Sequence, residues 1–233
     1  MKLPTRLDIP LRALKYWADG TPEIRLTKLL SDPERMSIDV GANIGQFTWW
    51  MRRYAKGVVA FEPNADLAAR LDRAFPGPDV VVRAAAASDV VGQAELAIPI
   101  GPEGERAAAA SLSNNFDEQR TVVVDLERID DLDVGQIGYI KIDVEGHELD
   151  VLRGARATLE RDRPALLVEI ELRHHGGEIE SKIREICAIG YSAYFMLDGR
   201  LHPLSEFRSE MQDPTKLGSP ALYVNNFIFL ASQ

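Results

Sequence analysis

The chain has 233 residues, of which 45% are apolar and 27% charged, and this composition predicts one large folded domain with a substantial core. Its formal net charge of −9 argues against a nucleic-acid partner, because such a partner calls for a basic surface. The single cysteine, Cys187, excludes an intramolecular disulfide and a cysteine-based zinc site. No run approaches the roughly 18 apolar residues of a membrane span, and the first residues lack the apolar core of a signal peptide, so we expect a cytoplasmic protein.

Residues 1–35 precede the regular alternation of strands and helices and carry a mixed set of apolar side chains. We expect them to form a helical cap that packs on the sheet. A lid over a bound cofactor, a helix on a membrane surface and the contact surface of a homodimer are the alternatives. No linker divides the rest of the chain, so residues 36–233 are predicted to fold as a single domain.

From residue 36 onward, short apolar runs alternate with stretches whose apolar residues recur at helical spacing. The predicted elements are a strand at 36–40, a helix at 45–55, a strand at 57–62, a helix at 65–75 capped by Asn64, and a strand at 79–83. This order predicts a parallel sheet with helices on both faces and a ligand outside the carboxyl ends of its strands.

The middle of the chain departs from this alternation. Residues 93–99 and 121–126 are predicted to form a β-hairpin, and the polar stretch 101–115 joins them. This stretch is either a surface loop or an active-site flap that uses Ser111, Ser113 and Asn114. The remaining predicted elements are strands at 137–143, 164–171, 191–197 and 221–230, with helices at 148–161 and 180–190.

A glycine-containing turn follows the first strand and marks the predicted ligand site. Asp39 lies near the end of that strand, and Gly41, Asn43 and Gly45 follow it before the first helix. Glycine lets the backbone approach a ligand closely. The acid at Asp39 suits a ligand with a positive centre, and Glu62, at the end of the second strand, can bind both hydroxyls of a ribose. Together these residues favour a nucleoside-type cofactor, and S-adenosylmethionine fits both acids.

A second cluster of ionisable residues, Asp143, Glu145 and His147, follows the strand predicted before it. In a parallel sheet this loop opens on the same crevice as the glycine turn. There a carboxylate or an imidazole can take a proton from an acceptor hydroxyl, or hold a metal ion that lowers its pKa. The alternatives are structural: Asp143 can brace the neighbouring loop, Glu145 can interact with the helix dipole, and His147 can lie at the surface.

Glu169 stands inside the apolar run 165–170, where an unpaired buried charge would be costly. It is therefore either exposed at the end of its strand or paired in the crevice. Glu and His residues nearby, including Glu171 and His174, could join Asp143 in an oxygen and nitrogen metal site, although their spacing is weak support. A divalent metal such as Mg²⁺ is thus an unsupported second cofactor, and no metal ligand is assigned.

Several segments together resemble the FkbM-type methyltransferases. They are Asp39-Val-Gly-Ala-Asn-Ile-Gly-Gln-Phe-Thr, Phe61-Glu-Pro, Ala87-Ser-Asp followed by Gly92, Ile129-Asp-Asp-Leu, Ile140-Lys-Ile-Asp-Val-Glu-Gly-His-Glu, Val151-Leu-Arg-Gly-Ala and Val168-Glu. The block that begins at Ile140 is the specific one, and the resemblance spans about residues 36–171. It implies an α/β fold of the class I methyltransferase type, a Rossmann-like three-layer sandwich around a mostly parallel seven-stranded sheet whose last strand is antiparallel. It also implies S-adenosylmethionine-dependent O-methylation of a hydroxyl on a sugar, glycolipid or natural product.

The same resemblance assigns cofactor-binding positions. Residues of the glycine turn and the start of its helix would line the methionine end: Asp39, Gly41, Ala42, Asn43, Gly45 and Phe47. Glu62, followed by Pro63, would hold the ribose. The chain around Ala86 and Ser88 would meet the adenine.

The resemblance also implies where the chemistry takes place. Asp143 would contact the cofactor beside the transferred methyl group, and Glu145, His147 and Glu169 are catalytic candidates on the acceptor side. Methyl transfer needs the acceptor oxygen in line with the methyl carbon and its proton removed. We hypothesise that Asp143 or His147 orients or deprotonates the hydroxyl, directly or through a divalent metal.

Two other function classes stay open on the sequence. A nicotinamide-dependent oxidoreductase would show further glycines in the phosphate turn and, in the short-chain type, a Tyr-x-x-x-Lys pair, and the sequence has neither. A protein that binds the cofactor without catalysis, as a regulatory or assembly partner, is opposed by the acidic cluster. The expected partner is therefore a small-molecule or glycan acceptor and not a nucleic acid.

Overall fold

The computed structural model describes residues 5–19, 22–102, 104–114, 116–175, 179–216 and 223–232, and every structural statement concerns these residues. The helices are α1 (Thr5–Asp19), α2 (Thr27–Leu30), α3 (Gln46–Met51), α4 (Ala65–Ala74), α5 (Glu148–Arg153), α6 (Arg156–Asp162) and α7 (Ile179–Ala188). The strands are β1 (Met36–Val40), β2 (Gly57–Phe61), β3 (Val80–Arg83), β4 (Ala85–Ala87), β5 (Gly92–Gly101), β6 (Gly104–Glu105), β7 (Gln119–Glu127), β8 (Ile137–Ile142), β9 (Ala165–Glu169), β10 (Tyr191–Leu197), β11 (Arg200–Pro203) and β12 (Asn226–Ala231).

Eight strands of the described chain form the central sheet, in the order β11-β10-β12-β9-β8-β1-β2-β3. The strands from β9 to β3 run parallel to one another. The last strand, β12, lies antiparallel between β9 and β10. The predicted α/β fold with an antiparallel last strand is therefore confirmed, although β12 begins at Asn226 and positions 221–222 of the predicted strand lie outside the described residues.

An eighth strand extends the predicted set of seven at one edge of the central sheet. β11 pairs with β10 through a two-residue turn in which Asp198 and Gly199 both have positive φ, at 50° and 70°. An Asp-Gly pair is strongly preferred in this kind of tight hairpin turn. The prediction of seven strands is thus short by one strand, which adds to the edge and leaves the order of the others intact.

The predicted helix at 148–161 is wrong, because the chain forms two helices, α5 and α6, with Gly154 between them. A Cβ atom at Gly154 would lie 1.8 Å from the carbonyl oxygen of Ser88, so only glycine allows this approach. The carboxylate of Asp130 then accepts hydrogen bonds from the N–H groups of Ala157 and Thr158, at 2.9 and 2.8 Å, and caps α6. The break between α5 and α6 therefore depends on two tertiary contacts between distant parts of the chain.

Of two other helix predictions, one helix is shorter than predicted and the other has the predicted cap. The predicted helix at 45–55 is shorter, because α3 ends at Met51. Asn64 caps α4 as predicted, since its Oδ1 accepts hydrogen bonds from the N–H groups of Asp66 and Leu67, at 3.0 and 3.3 Å.

A second, four-stranded sheet has the order β4-β7-β5-β6 among the described residues. The antiparallel pair of β5 and β7 is the predicted hairpin. β4 is a run of three alanines that pairs parallel with β7, and its composition carries no strand preference. This sheet brings the segment 104–114 to the carboxyl edge of the central sheet, where Ala107, Ala110 and Leu112 face β1 and β2 across a cavity.

Apolar side chains fill both faces of the central sheet. Neighbouring residues of a strand point to opposite faces, so Val59 and Phe61 belong to one buried cluster while Val58 and Ala60 belong to another. Helices α5, α6 and α7 cover the first cluster, and α1, α3 and α4 cover the second. The result is a three-layer arrangement.

Helix α1 packs against α3 and α4. Ile9 and Ala13 are fully buried there, and Trp50 Nε1 donates a hydrogen bond to the Ala13 carbonyl oxygen at 3.2 Å. The division into a cap at 1–35 and a domain at 36–233 stays a prediction. Within the described ranges, no helix is both long and apolar enough to cross a bilayer.

Candidate active site

Two adjoining cavities open at the carboxyl ends of β1, β2, β8 and β9, the edge at which the sequence predicts a ligand. They share four lining residues: Gly41, Asn43, Asp143 and Glu145. The apolar cavity runs under the second sheet and is walled by residues such as Phe61, Glu62, Ala86, Leu96, Leu112 and His147. The polar chamber runs toward β9 and β12, and its wall includes Gln46, Phe47, Lys141, Glu169, Asn225 and Asn226.

The turn after β1 is held by close contact with the turn after β8. Gly41, Asn43 and Gly45 have φ values of 75°, 50° and 83°, which place all three in the left-handed region. A Cβ atom at Gly41 would lie 1.9 Å from the carbonyl oxygen of Asp143, so the two turns can meet only if this residue is glycine. At Gly45 a Cβ atom would instead lie 2.6 Å from Leu71 in α4. Gly41 therefore shapes the cavities, whereas Gly45 serves helix packing.

Glu62 is buried at the apolar cavity and fixes the conformation of the neighbouring turn. Its Oε2 accepts a hydrogen bond from the Asn43 N–H at 2.7 Å, and its Oε1 accepts one from the Asn64 N–H at 2.9 Å. Burial nevertheless raises the pKa of Glu62 to about 7, because desolvation outweighs these hydrogen bonds. Each carboxylate oxygen has a further lone pair, so Glu62 can still bind a pair of neighbouring hydroxyls.

Asp39 lies behind the turn and lines neither cavity. It is fully buried, and its Oδ2 accepts a hydrogen bond from Thr48 Oγ1 at 2.5 Å. Its Oδ1 makes no hydrogen bond and lies 3.5 Å from Nζ of Lys141. The negative charge of Asp39 thus acts on the site through Lys141.

Lys141 lines the polar chamber but was not predicted as a site residue. Its buried ammonium group lies 3.2 Å from Asp143 Oδ2 and 3.1 Å from the Gly41 carbonyl oxygen, and 5.2 Å from the centre of the Phe47 ring. Burial opposes its charge, but Asp143 and Asp39 outweigh burial and raise the pKa of Lys141 above its ordinary value. The sequence feature that could have revealed Lys141 is the presence of a charged residue in the otherwise apolar strand β8.

His147 lies in the wall of the apolar cavity and is held from both sides. Its Nε2 lies 3.0 Å from Ser88 Oγ, and its Nδ1 lies 3.1 Å from Asp150 Oδ2. Ser88 itself is buried and lines neither cavity. The structure therefore groups His147 with the end of the site near Ala86, and not with the polar chamber.

Glu145 fastens the segment 104–114 to the loop after β8. Its carbonyl oxygen accepts hydrogen bonds from Ser111 Oγ and Asn114 Nδ2, both at 2.7 Å. Its carboxylate Oε2 lies 2.5 Å from Nε2 of His174, while Nδ1 of that histidine lies 2.9 Å from Asn114 Nδ2. The polar stretch 101–115 thus lies over the site, and its use as a flap stays a prediction; Glu103 and Asn115 of that stretch lie outside the described residues.

Glu145, Glu171 and His174 place ligand-type atoms within 4.8 Å of one another, an arrangement that could hold a metal. Protein groups already occupy it. Arg173 donates two hydrogen bonds to Glu171, at 2.6 and 2.9 Å, and lies 3.3 Å from Glu145 Oε2, and the Tyr223 hydroxyl also donates to Glu171. Burial favours protonation of Glu171, but these partners outweigh it and lower the pKa of Glu171 to about 2. The cluster is therefore neutralised from within the protein.

Two further predicted acids, Glu169 and Asp143, line the polar chamber. Glu169 Oε1 accepts a hydrogen bond from Asn225 Nδ2 at 2.7 Å. Burial, the nearby Asp143 carboxylate and a side-chain hydrogen bond with Glu171 raise the pKa of Glu169 well above its ordinary value. Asp143 keeps 36% of its side chain exposed, and only its Oδ2 contacts Lys141.

The other predicted cofactor residues divide between the two cavities. Pro63 and Ala86 line the apolar cavity, and Ala42 and Phe47 line the polar chamber. Asn225 and Asn226 were not predicted as site residues, because only the antiparallel pairing of β12 with β9 brings them beside Glu169.

Comparison with known proteins gives concordant matches. The profile of the methyltransferase FkbM domain matches residues 39–193, more than half of the chain. A hexuronic acid methyltransferase, AglP, of Haloferax volcanii is 33% identical over 141 residues, which are 59% of this chain and 56% of that protein. The chain thus spans little more than half the length of this curated relative.

Solved structures match the fold. Methyltransferase FkbM from Methylobacillus flagellatus superposes with a TM-score of 0.55 at 18% identity, over 98% of this chain and 56% of that one. An O-methyltransferase from Bacillus cereus, in complex with S-adenosylhomocysteine, superposes with a TM-score of 0.52 at 12% identity, over 100% of this chain and 92% of that one. At these identities the likeness shows a common fold alone.

Proposed function

Because this chain belongs to the FkbM methyltransferase family, we propose that it transfers a methyl group from S-adenosylmethionine to a hydroxyl of a sugar, glycolipid or natural product. The observation that carries the proposal is the pairing of an apolar cavity beside Glu62 with an acid-lined polar chamber, both meeting at the Gly41 turn. The relative of Haloferax volcanii, a hexuronic acid methyltransferase, supports a sugar acceptor. A cytoplasmic location and a homodimer stay predictions.

The residues of the apolar cavity fit the nucleoside part of the cofactor. An adenine ring would pack among apolar side chains such as Ala86, Leu96 and Leu112, and the ribose hydroxyls would bind the free lone pairs of Glu62. The turn from Gly41 to Asn43 borders both cavities and would hold the methionine end. When bound, S-adenosylmethionine would supply a methyl carbon on a positively charged sulfur, and that sulfur would keep the electron pair of the carbon–sulfur bond.

The chain's own acids would position the acceptor and receive its proton. Lys141 holds Oδ2 of Asp143 at 3.2 Å, which leaves Oδ1 to accept a hydrogen bond from the acceptor hydroxyl and to take its proton. Glu169, which also hydrogen-bonds Glu171, would contact the acceptor on the other side of the polar chamber. Lys141 keeps the local charge balanced while Asp143 takes up the proton.

We reassign two of the predicted catalytic residues within this proposal. His147 is bound to Ser88 and Asp150 beside the apolar cavity, so we place it as a positioning residue for the adenosine end. Glu145 is engaged with His174 and with the segment 104–114, so we place it as the residue that closes the site. Asp143 and Glu169 remain the acceptor-side candidates.

The test is transfer of labelled methyl from S-adenosylmethionine to glycan, lipid and small-molecule fractions, with and without magnesium. Label in an ether of a glycan or glycolipid supports the proposal. S-adenosylhomocysteine should raise the melting temperature, and NADH should not. Asp143→Asn should lower kcat by about 10²- to 10⁴-fold while S-adenosylhomocysteine still binds, and the exposed control Asp133→Asn should leave kcat unchanged.

Cofactor binding without label in any fraction would instead favour a non-catalytic partner protein. Absence of S-adenosylhomocysteine binding would refute the proposal itself. Stabilisation by NADH alone would favour the oxidoreductase alternative.

A further inference from the structure

We propose that the polar chamber is an acceptor subsite for an uncharged sugar ring and that it discriminates against the corresponding hexuronic acid. This inference rests on the proposed function and narrows its substrate class. The inference follows from the charged residues that line the chamber, from its hydrogen-bonding groups, and from the fact that the Lys141 ammonium group is already bound by other protein groups.

The charges that line the chamber disfavour an acceptor carboxylate. Asp143, Glu145 and Glu169 all border it, and Lys141 is the cation among its described lining residues. The Lys141 ammonium is already bound by Asp143 and by the Gly41 carbonyl oxygen, with Asp39 behind it at 3.5 Å. A hexuronate would therefore enter a chamber in which no cation of the described lining residues is free to pair with its carboxylate, and the burial of an unpaired charge is costly.

A nearby guanidinium does not change this balance. Arg173 lies beside Glu145, but it donates two hydrogen bonds to the buried Glu171 and reaches Glu145 Oε2 at 3.3 Å. It does not line the chamber. Freeing it to meet a substrate carboxylate would leave Glu171 buried without its cation, which is costly.

The remaining polar groups suit hydroxyls. Asn226 donates to Asn225 at 3.0 Å, and Asn225 donates to Glu169 at 2.7 Å, so this wall is an ordered chain of hydrogen bonds. Across the chamber, the Gln46 amide makes no hydrogen bond within the described residues and can both donate and accept. Amide groups pair with neutral hydroxyls without the burial of a net charge.

The experiment measures methyl transfer by the full chain to matched acceptors: the p-nitrophenyl β-glycosides of glucose and galactose, and those of glucuronic and galacturonic acid. We expect kcat/KM to be at least about tenfold higher for each hexoside than for its hexuronide, a difference that one uncompensated charge interaction readily supplies. Equal values, or a preference for the hexuronides, would overturn the inference.

A charge-insertion variant tests the stated cause. Gln46→Arg places a new cation in the chamber and should shift the hexoside-to-hexuronide ratio toward the hexuronide by about tenfold. Gln136→Arg, at an exposed position before β8 on the opposite edge of the sheet, is the matched control and should leave the ratio unchanged. An unchanged ratio in Gln46→Arg, with S-adenosylhomocysteine still bound, would contradict the charge argument.

A failure of the sugar-subsite inference can be distinguished from a failure of the proposed function. No transfer to either glycoside series while S-adenosylhomocysteine still raises the melting temperature would overturn the sugar subsite and leave the cofactor assignment standing. Loss of that stabilisation in the unmodified chain would overturn the proposed function as well.

Discussion

Replacement of Lys141 by methionine should destabilise the fold by about 3 to 5 kcal/mol, because it leaves buried Asp39 without a cation. The magnitude can be worked from the geometry. Two unit charges 3.5 Å apart attract by about 5 kcal/mol at an effective dielectric constant of about 20. The second partner, Asp143, adds less because 36% of its side chain is exposed and solvent screens it.

The assay is urea unfolding followed by circular dichroism, with Lys56→Met as the control because Lys56 is exposed. The double variant Asp39→Asn/Lys141→Met should recover more than half of the lost stability, since it removes the orphaned charge along with its partner. A pair of distant, independent sites would instead show additive losses.

The pH dependence gives a second check with a defined sign. In Lys141→Met the buried Asp39 carboxylate has lost its cation, and protonation would remove that uncompensated charge. A carboxyl whose pKa is raised in the folded state stabilises the fold when protonated, and that stability is lost as pH rises through the raised value. The variant should therefore be closer to wild type at about pH 5 than at about pH 8. A loss below about 1 kcal/mol, or no recovery in the double variant, would refute the reasoning.

Three further perturbations follow from the same structure. Gly41→Ala should abolish S-adenosylhomocysteine binding in calorimetry, because its Cβ would lie 1.9 Å from the Asp143 carbonyl oxygen; binding near wild-type affinity would contradict this. Burial raises the pKa of Glu23 to about 7, so the free energy of unfolding of the wild type should fall between about pH 5 and 8. Glu23→Gln should reduce that fall by up to about 3 kcal/mol, whereas Glu34→Gln, at an exposed position, should leave it unchanged. Ser111→Ala removes the hydroxyl that donates a hydrogen bond to the Glu145 carbonyl oxygen. The KM for S-adenosylmethionine should therefore rise about tenfold, and protease should cleave the segment 104–114 faster than in the wild type. Unchanged protease sensitivity would count against the flap.

Local sequence patterns were sufficient for the frame of the fold. The alternation of apolar runs and helical spacing places β1, β2, β3, β8 and β9, and all of these strands except the partly exposed β3 are largely buried. The patterns fail where a distant contact decides the outcome. The break between α5 and α6 depends on the Ser88 carbonyl oxygen and on the Asp130 side chain, and neither is visible within residues 148–161.

The candidate site shows the same division between local and distant causes. The Gly41 turn and Glu62 can be predicted, because strand, turn and helix are consecutive and the acid follows at a fixed distance. The role of Lys141 requires the register of β8 beside β1, which sets Lys141 opposite Asp39. Asn225 and Asn226 require the antiparallel insertion of β12 beside β9, which a pattern of apolar residues does not encode.

The loop after β8 shows that residues close in sequence face different parts of the candidate site. Glu145 and Gly146 have φ values of 51° and 104°, so the backbone turns sharply within the cluster. Asp143 then faces Lys141, Glu145 faces His174, and His147 faces Ser88 on the far side of the apolar cavity. Consecutive left-handed residues send neighbouring side chains in different directions, so the spacing identifies the loop as functional but cannot say which group reaches the acceptor. Asp143→Asn should therefore lower kcat, whereas His147→Ala should raise KM for S-adenosylmethionine with kcat within about threefold of wild type. Equal losses of kcat in both variants would return His147 to the acceptor side.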